Sequence, residues 1–135
     1  MPLIRIAEAA SLLGVSDDTV RRWVDSGALS ATKDAAGRAA IDGAELAEHA
    51  RRLANAPKDA SGVARSARNN FVGLVTNVIQ DKVMAQVELQ CGPYRVVSLM
   101  SSEAVRDLGL EPGTVATAVV KATTVIVETP GGKAS

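Results

Sequence analysis

The stretch Ser66-Ala67-Arg68-Asn69-Asn70-Phe71-Val72-Gly73 opens a Val-rich segment whose apolar residues recur with a period near two, which predicts a β-strand. A second stretch, Lys121-Ala122-Thr123-Thr124, lies at the edge of a later segment of the same kind. Each stretch combines a cation with hydroxyl groups and backbone amides, and these are the donors that hold an oxyanion in proteins. The two stretches therefore look like the two halves of an oxyanion site.

The second half of the chain predicts five strands and one short helix. The strands are expected at Phe71–Ile79, Val83–Leu89, Tyr94–Met100, Thr114–Lys121 and Thr124–Glu128. The helix is expected from Ser102 to Leu108, with a Ser cap at its start and Gly109 after its end. Five strands with a short helix before the fourth predict a small closed barrel of the OB type.

The first half predicts helices. Gly14 follows an Ala- and Leu-rich run at the position where a left-handed residue ends a helix, and Ser16 is then a good N-cap for a second helix. The stretch 29–41 is rich in turns and predicts a small hairpin or wing. A third helix is expected to begin at Asp42, with Glu45 at the capping-box position. Its predicted apolar face consists of Leu46, Ala47, Ala50 and Leu53.

These patterns predict an α+β protein of two domains, because a helical half is followed by a β half. The expected boundaries are residues 1–53 for a mainly α domain, 54–65 for a linker, 66–129 for the barrel and 130–135 for a flexible tail. The linker is assigned because it contains Pro, Gly, Ser and Ala without periodicity.

Composition argues against several classes of function. The chain has one histidine, His49, and one cysteine, Cys91, so neither a Ser-His-Asp set nor a cysteine–histidine metal site is expected. We predict no enzyme, no bound metal cation and no organic cofactor. No apolar run is long enough to cross a bilayer and no signal-peptide pattern is present, which predicts a cytoplasmic protein without a membrane partner.

The N-terminal half resembles the MerR and excisionase-like winged helix-turn-helix families, through residues 6–16 and the run Thr19-Val20-Arg21-Arg22-Trp23. This resemblance implies that the second helix enters the major groove of double-stranded DNA and that the wing touches the backbone. The residues that it places against DNA are Ser16, Thr19, Arg21, Arg22, Lys33 and Arg38. The wing departs from the family pattern, since Gly37-Arg38-Ala39-Ala40-Ile41 lacks the usual basic and aromatic run. A module that packs or oligomerises without binding DNA is the alternative, because residues 1–60 carry net charge −1.

The C-terminal half resembles the molbindin family, whose domains are also called TOBE or Mop domains. Besides the two opening stretches, the matching segments are 83–89, 108–113 and 120–126. The resemblance implies a five-stranded OB-like barrel that assembles with other copies, as a dimer or a hexamer, and binds molybdate or tungstate at interfaces between barrels. The anion ligands implied by position are Ser66, Ala67, Arg68, Asn69, Lys121, Ala122 and Thr123.

The order of the two modules predicts a molybdate- or tungstate-responsive transcriptional regulator that binds promoters of molybdenum-related genes, by analogy with the families. The alternative is an intracellular molybdate store, in which the N-terminal module serves assembly. A single barrel per chain and a neutral overall charge suit the alternative.

Overall fold

The computed structural model describes residues 2–56, 58 and 68–131. It divides into two compact units, residues 1–55 and 56–135, and each is described by itself. The first unit contains a helix-turn-helix with a small sheet, and the second is a curled antiparallel sheet with one helix. The predicted α+β class is thereby confirmed.

The first unit has three helices and three short strands. In chain order these are β1 (Leu3–Arg5), α1 (Ile6–Leu13), α2 (Asp17–Asp25), β2 (Ala31–Lys33), β3 (Ala39–Asp42) and α3 (Gly43–Leu53). The sheet has the order β1-β3-β2, and both pairings are antiparallel. The predicted wing is therefore the β2–β3 hairpin, and its inner strand is also held by β1.

The turn between α1 and α2 forms as its residues predict. Gly14 adopts a left-handed conformation with φ 68°, and its N–H donates to the carbonyl oxygens of Ala10 and Ser11 at the end of α1. Ser16 then caps α2, because its hydroxyl oxygen accepts a hydrogen bond from the N–H of Thr19. These two contacts fix the angle at which α2 leaves α1.

The first unit differs from the sequence predictions in three ways. Strand β1 was not predicted, since three residues carry no periodicity. Asp42 caps α3, but the Glu45 carboxylate accepts the N–H of Ser30 and so ties α3 to the wing instead of completing a capping box. The expected apolar face of α3 is also wrong in part: Leu53 is exposed, whereas His49 is buried with its ring 4.6 Å from that of Trp23.

The second unit is one antiparallel sheet that carries a short helix. Its elements are β4 (Asn69–Gln80), β5 (Met84–Cys91), β6 (Tyr94–Ser101), α4 (Ser102–Leu108) and β7 (Val115–Val120). The sheet order is β6-β5-β4-β7, so the last strand pairs with the first. Four of the predicted strands and the helix are thus present, each with ends within two residues of expectation.

The fifth predicted strand is not formed. Where Thr124–Glu128 was expected to be extended in a sheet, the structure has a 3₁₀ turn at Ala122–Thr124 and then irregular chain. A strand needs a partner for its backbone groups, and the sheet offers this segment none within the described residues. Val125, Ile126 and Val127 are left 47%, 85% and 86% exposed.

The curled sheet keeps an open side between its two edge strands. A cavity of about 280 Å³ is lined by residues of β6, including Val96 and Met100, and by residues 116–120 of β7. The core is packed around Val75, Val87 and Val105, and Val96, Met100 and Ala116 of the cavity lining pack against it. The expected closed barrel is therefore not completed within the described residues: β6 and β7 are not paired with each other, and the seam between them is mostly apolar.

Candidate functional site

The exposed side of α2 carries a hydrogen-bonded chain of three polar side chains. The hydroxyl groups of Ser16 and Thr19 are 3.0 Å apart, and Nη2 of Arg22 donates to Oγ1 of Thr19 over 3.2 Å. Arg22 is exposed, and no carboxylate pairs with it anywhere in the described ranges. Its guanidinium keeps most of its five donors free for a ligand.

Arg21 has a different environment from its neighbour. Its Nη1 lies 3.5 Å from the Asp18 carboxylate one turn earlier, and the two side chains are 58% and 88% exposed. An ion pair this exposed is weak and is screened by salt, so an incoming phosphate can displace the carboxylate. The two predicted arginines thus lie on one helix with different partners: Arg22 donates to a hydroxyl, whereas Arg21 pairs with a carboxylate.

The tip of the wing is fixed by a residue that the sequence analysis missed. The Asp34 carboxylate accepts the backbone N–H groups of Ala36 and Arg38, each over 2.9 Å, and Nε of Arg5 over 3.3 Å. The backbone N–H of Arg38, followed by that of Ala36 and by the Arg5 side chain, lowers the pKa of Asp34 below its ordinary value of 3.8. Asp followed by two small residues and Gly37 is a turn signal that would have located this contact. Lys33 is exposed on β2.

Part of the second group of predicted residues lies at one end of the β4–β7 pair. Asn69 begins β4 opposite Val120, the last residue of β7, and its Nδ2 donates to the Val120 carbonyl oxygen over 3.1 Å. Arg68 immediately precedes Asn69, Lys121 immediately follows Val120, and both are exposed. Antiparallel pairing therefore brings Arg68 and Lys121 to the same end of the sheet. Ser66 and Ala67, the rest of the first predicted half-site, lie outside the described residues.

Asn69 has a structural task at this end. Its amide nitrogen is engaged with β7, so the side chain joins the two half-sites and is only partly available to an anion. Its expected role as an anion ligand stays a prediction, and one of its two amide protons is already used.

The 3₁₀ turn shapes the second half-site. The Lys121 carbonyl oxygen accepts both the N–H of Thr124, over 2.9 Å, and its hydroxyl, over 2.8 Å. The first N–H groups of such a turn, those of Ala122 and Thr123, have no partner within it. Both residues are exposed, and the Thr123 hydroxyl stands beside them. A cation, a hydroxyl and two available amides suit an anionic oxygen ligand.

Two further features bear on what the chain binds. Among residues 2–56, 58 and 68–131, no three His, Cys, Asp or Glu side chains lie close enough to hold a metal ion. No helix in those ranges is long and apolar enough to span a membrane.

Comparison with known proteins gives matches to each half of the chain. A TOBE domain model matches residues 65–127, and a helix-turn-helix domain model matches residues 3–54. Molybdenum-pterin-binding protein 3 of Clostridium pasteurianum is 41% identical over 63 residues, which is 46% of this chain and 93% of that protein. Molybdenum-pterin-binding protein 2 of the same organism is 38% identical with the same coverage. The molybdate-bound structure of the cytoplasmic molybdate-binding protein ModG has a TM-score of 0.50 and 41% identity, covering 53% of this chain and 52% of that chain.

Proposed function

Because the chain belongs to the TOBE-domain family of the molybdenum-pterin-binding proteins and carries a helix-turn-helix domain, we propose that it is a DNA-binding regulator that responds to molybdate or tungstate. The oxyanion binds between C-terminal barrels of different copies, and the N-terminal domain binds promoter DNA. The proposed role is binding at both sites, not catalysis.

The pairing of Asn69 with Val120 is the observation that supports the proposed anion binding. It brings Arg68 and Lys121 to one end of the sheet, where their charges offset the cost of taking a dianion out of water. Ser66, Ala67, Ala122 and Thr123 complete the proposed ligand set with hydroxyls and backbone amides. The metal enters as its oxyanion, since the donors here are cations and N–H or O–H groups.

The exposure of the site favours a location between copies. Arg68, Lys121 and Thr123 are all exposed, so one barrel alone leaves a bound anion largely in water. The apolar segment Val125–Val127 follows directly, and the apolar seam between β6 and β7 is open. Exposed apolar surface beside a polar site is typical of a protein interface. A second barrel that covers these surfaces also encloses the anion.

Assembly links the anion to DNA. Helix-turn-helix proteins bind two half-sites whose spacing must match the spacing of their recognition helices. An anion that joins two barrels favours one arrangement of the N-terminal domains over others. It shifts the population only by its differential affinity for those arrangements.

The decisive test is binding of the full chain to DNA upstream of its own gene, near physiological salt, with molybdate, tungstate or sulfate added. We expect specific binding that changes with molybdate or tungstate and does not change with sulfate. Absence of specific binding under all three anions contradicts the regulatory function.

A molybdate store is the second candidate, and the charge of the N-terminal half favours it. Residues 1–60 carry net charge −1, which opposes approach to a polyanion, and the wing has few cations. A store should bind many anions per chain and should have no affinity for DNA. Elemental analysis of the assembled protein measures the anion content. A dimer with one or two anions argues for the regulator instead.

A further inference from the structure

The side chain of Thr19 makes hydrogen bonds that helix capping does not require. The cap of α2 is already formed by the Thr19 backbone N–H and the Ser16 hydroxyl oxygen, 3.2 Å apart. The Thr19 hydroxyl makes two further contacts, one with the Ser16 hydroxyl and one with Nη2 of Arg22. Removing this hydroxyl therefore leaves the cap in place and releases Arg22.

The Arg22 guanidinium fixes the direction of one of these bonds. Nη2 of Arg22 can only donate, so Oγ1 of Thr19 accepts from it. The bond between the two hydroxyl groups can run in either direction, and the Ser16 oxygen also accepts the Thr19 N–H. Each link restrains the next, which favours one orientation of a long, flexible arginine before any ligand arrives. Preorganisation of this kind reduces the conformational entropy lost on binding.

Arg21 provides the contrast on the same helix. It is tied only to an exposed carboxylate, that of Asp18, so its position is loosely defined. A loosely held cation suits a phosphate, which can be approached from many directions. A planar guanidinium with a restrained orientation suits the edge of a base, because the hydrogen bonds to a base edge form in only one geometry.

We propose that Thr19 is a positioning residue that aims Arg22 at a guanine in the major groove, while Arg21 contacts phosphate. Guanine is the base whose O6 and N7 accept the two parallel bonds of an arginine fork. This inference rests on the proposed DNA-binding function and adds which arginine reads sequence. It also changes the role of Thr19 from a DNA contact to a support for one.

The test uses the full chain and a duplex that the wild-type protein selects from a random library. Affinity is measured for that duplex, for copies in which single guanines are replaced by 7-deazaguanine, which lacks the N7 acceptor, and for an unrelated duplex. The variants are Thr19→Val, which removes the hydroxyl at nearly constant shape, Thr19→Ser, which keeps it, and Arg22→Ala, which removes every donor of the fork.

For wild type and Thr19→Ser, we expect affinity to fall about tenfold when one particular guanine of each half-site is replaced by 7-deazaguanine. Thr19→Val and Arg22→Ala should bind the parent duplex at least about tenfold more weakly than wild type and should be indifferent to that replacement. Wild type and the two Thr19 variants should bind the unrelated duplex alike, since their charge is the same, and Arg22→Ala should bind it more weakly because it loses one cation.

Three results overturn the inference: Thr19→Val retains the guanine dependence, Thr19→Ser loses it, or Arg22→Ala keeps it. Melting curves followed by Trp23 fluorescence show whether Thr19→Val is folded, and if it is not, the Arg22→Ala and Thr19→Ser pair decides. A wild-type protein that selects no duplex contradicts the proposed DNA-binding function as well, which separates the two failures.

Discussion

Asn69 and Val120 face each other across the β4–β7 pair, and Nδ2 of Asn69 donates to the Val120 carbonyl oxygen over 3.1 Å. This contact closes the end of the sheet at which Arg68 and Lys121 stand. Strand pairing over six residues sets the register, and the side-chain bond fixes the last pair. The geometry of the proposed anion site therefore depends on one amide that does not itself need to touch the anion.

Replacing Asn69 with Ala should weaken both the fold and the site. The lost hydrogen bond should lower the free energy of unfolding by about 1 kcal/mol, and frayed strand ends should lower molybdate affinity. Asn70→Ala on the same strand is the matched control, because its side chain makes no hydrogen bond within the described residues. Calorimetric titration with molybdate and thermal unfolding measure both effects. Equal losses in the two variants would contradict the role given to Asn69.

Removing either cation should weaken anion binding without unfolding the chain. Arg68→Ala and Lys121→Ala each delete a charged donor at an exposed position, and we expect losses of about tenfold or more in molybdate affinity. Arg106→Ala, on the exposed side of α4, should bind like the parent. Calorimetric titration distinguishes these outcomes. A variant of Arg68 or Lys121 that binds molybdate as tightly as the parent would remove that residue from the site.

Asp18→Asn should strengthen non-specific DNA binding, because it frees Arg21 from the only carboxylate that pairs with it in the described chain. The change also removes one negative charge near the predicted DNA-facing surface, so affinity should rise several-fold at low salt and the gain should shrink as salt is added. Asp25→Asn, near the end of the same helix, makes the same change of net charge. Titration of a mixed-sequence duplex at several salt concentrations compares them. A gain for Asp25→Asn as large as that for Asp18→Asn would show a general charge effect without the ion pair.

The local elements of this fold follow from sequence, and the contacts that position the sites do not. Ser16 and Gly14 mark helix ends because capping involves neighbours in the chain. Strand β1, the bond from Ser30 to Glu45 and the bond from Asn69 to Val120 join distant segments, and no local pattern encodes them. The prediction of the last strand was wrong for another reason. Its apolar pattern is correct for a strand, but pairing needs an edge that the described chain does not offer to it.

Acid should remove the contribution of Asp34 to the stability of the N-terminal unit. The backbone N–H of Arg38, above all, lowers the pKa of Asp34 in the folded chain, so the ionised carboxylate stabilises the wing above pH 3.8 and this contribution is lost as pH falls through the lowered value. Wild type should therefore melt at a higher temperature than Asp34→Asn at neutral pH, and the gap should close below pH 3.8. Trp23, the single tryptophan, reports melting of this unit alone. A gap that stays constant down to low pH would contradict the assignment.

Gly73→Ala should destabilise the barrel, because β4 passes too close to the end of β5 for a side chain at this position. An added Cβ would collide with the backbone carbonyl oxygen of Gln90 and lie 2.7 Å from Sγ of Cys91. Overpacking of this kind costs about 1–3 kcal/mol of unfolding free energy. Combining it with Cys91→Ala tests which contact dominates: the sulfur is removed while the carbonyl stays, so most of the loss should persist relative to Cys91→Ala alone. Chemical denaturation followed by circular dichroism measures the series, and full recovery in the double variant would show that the thiol is the obstacle.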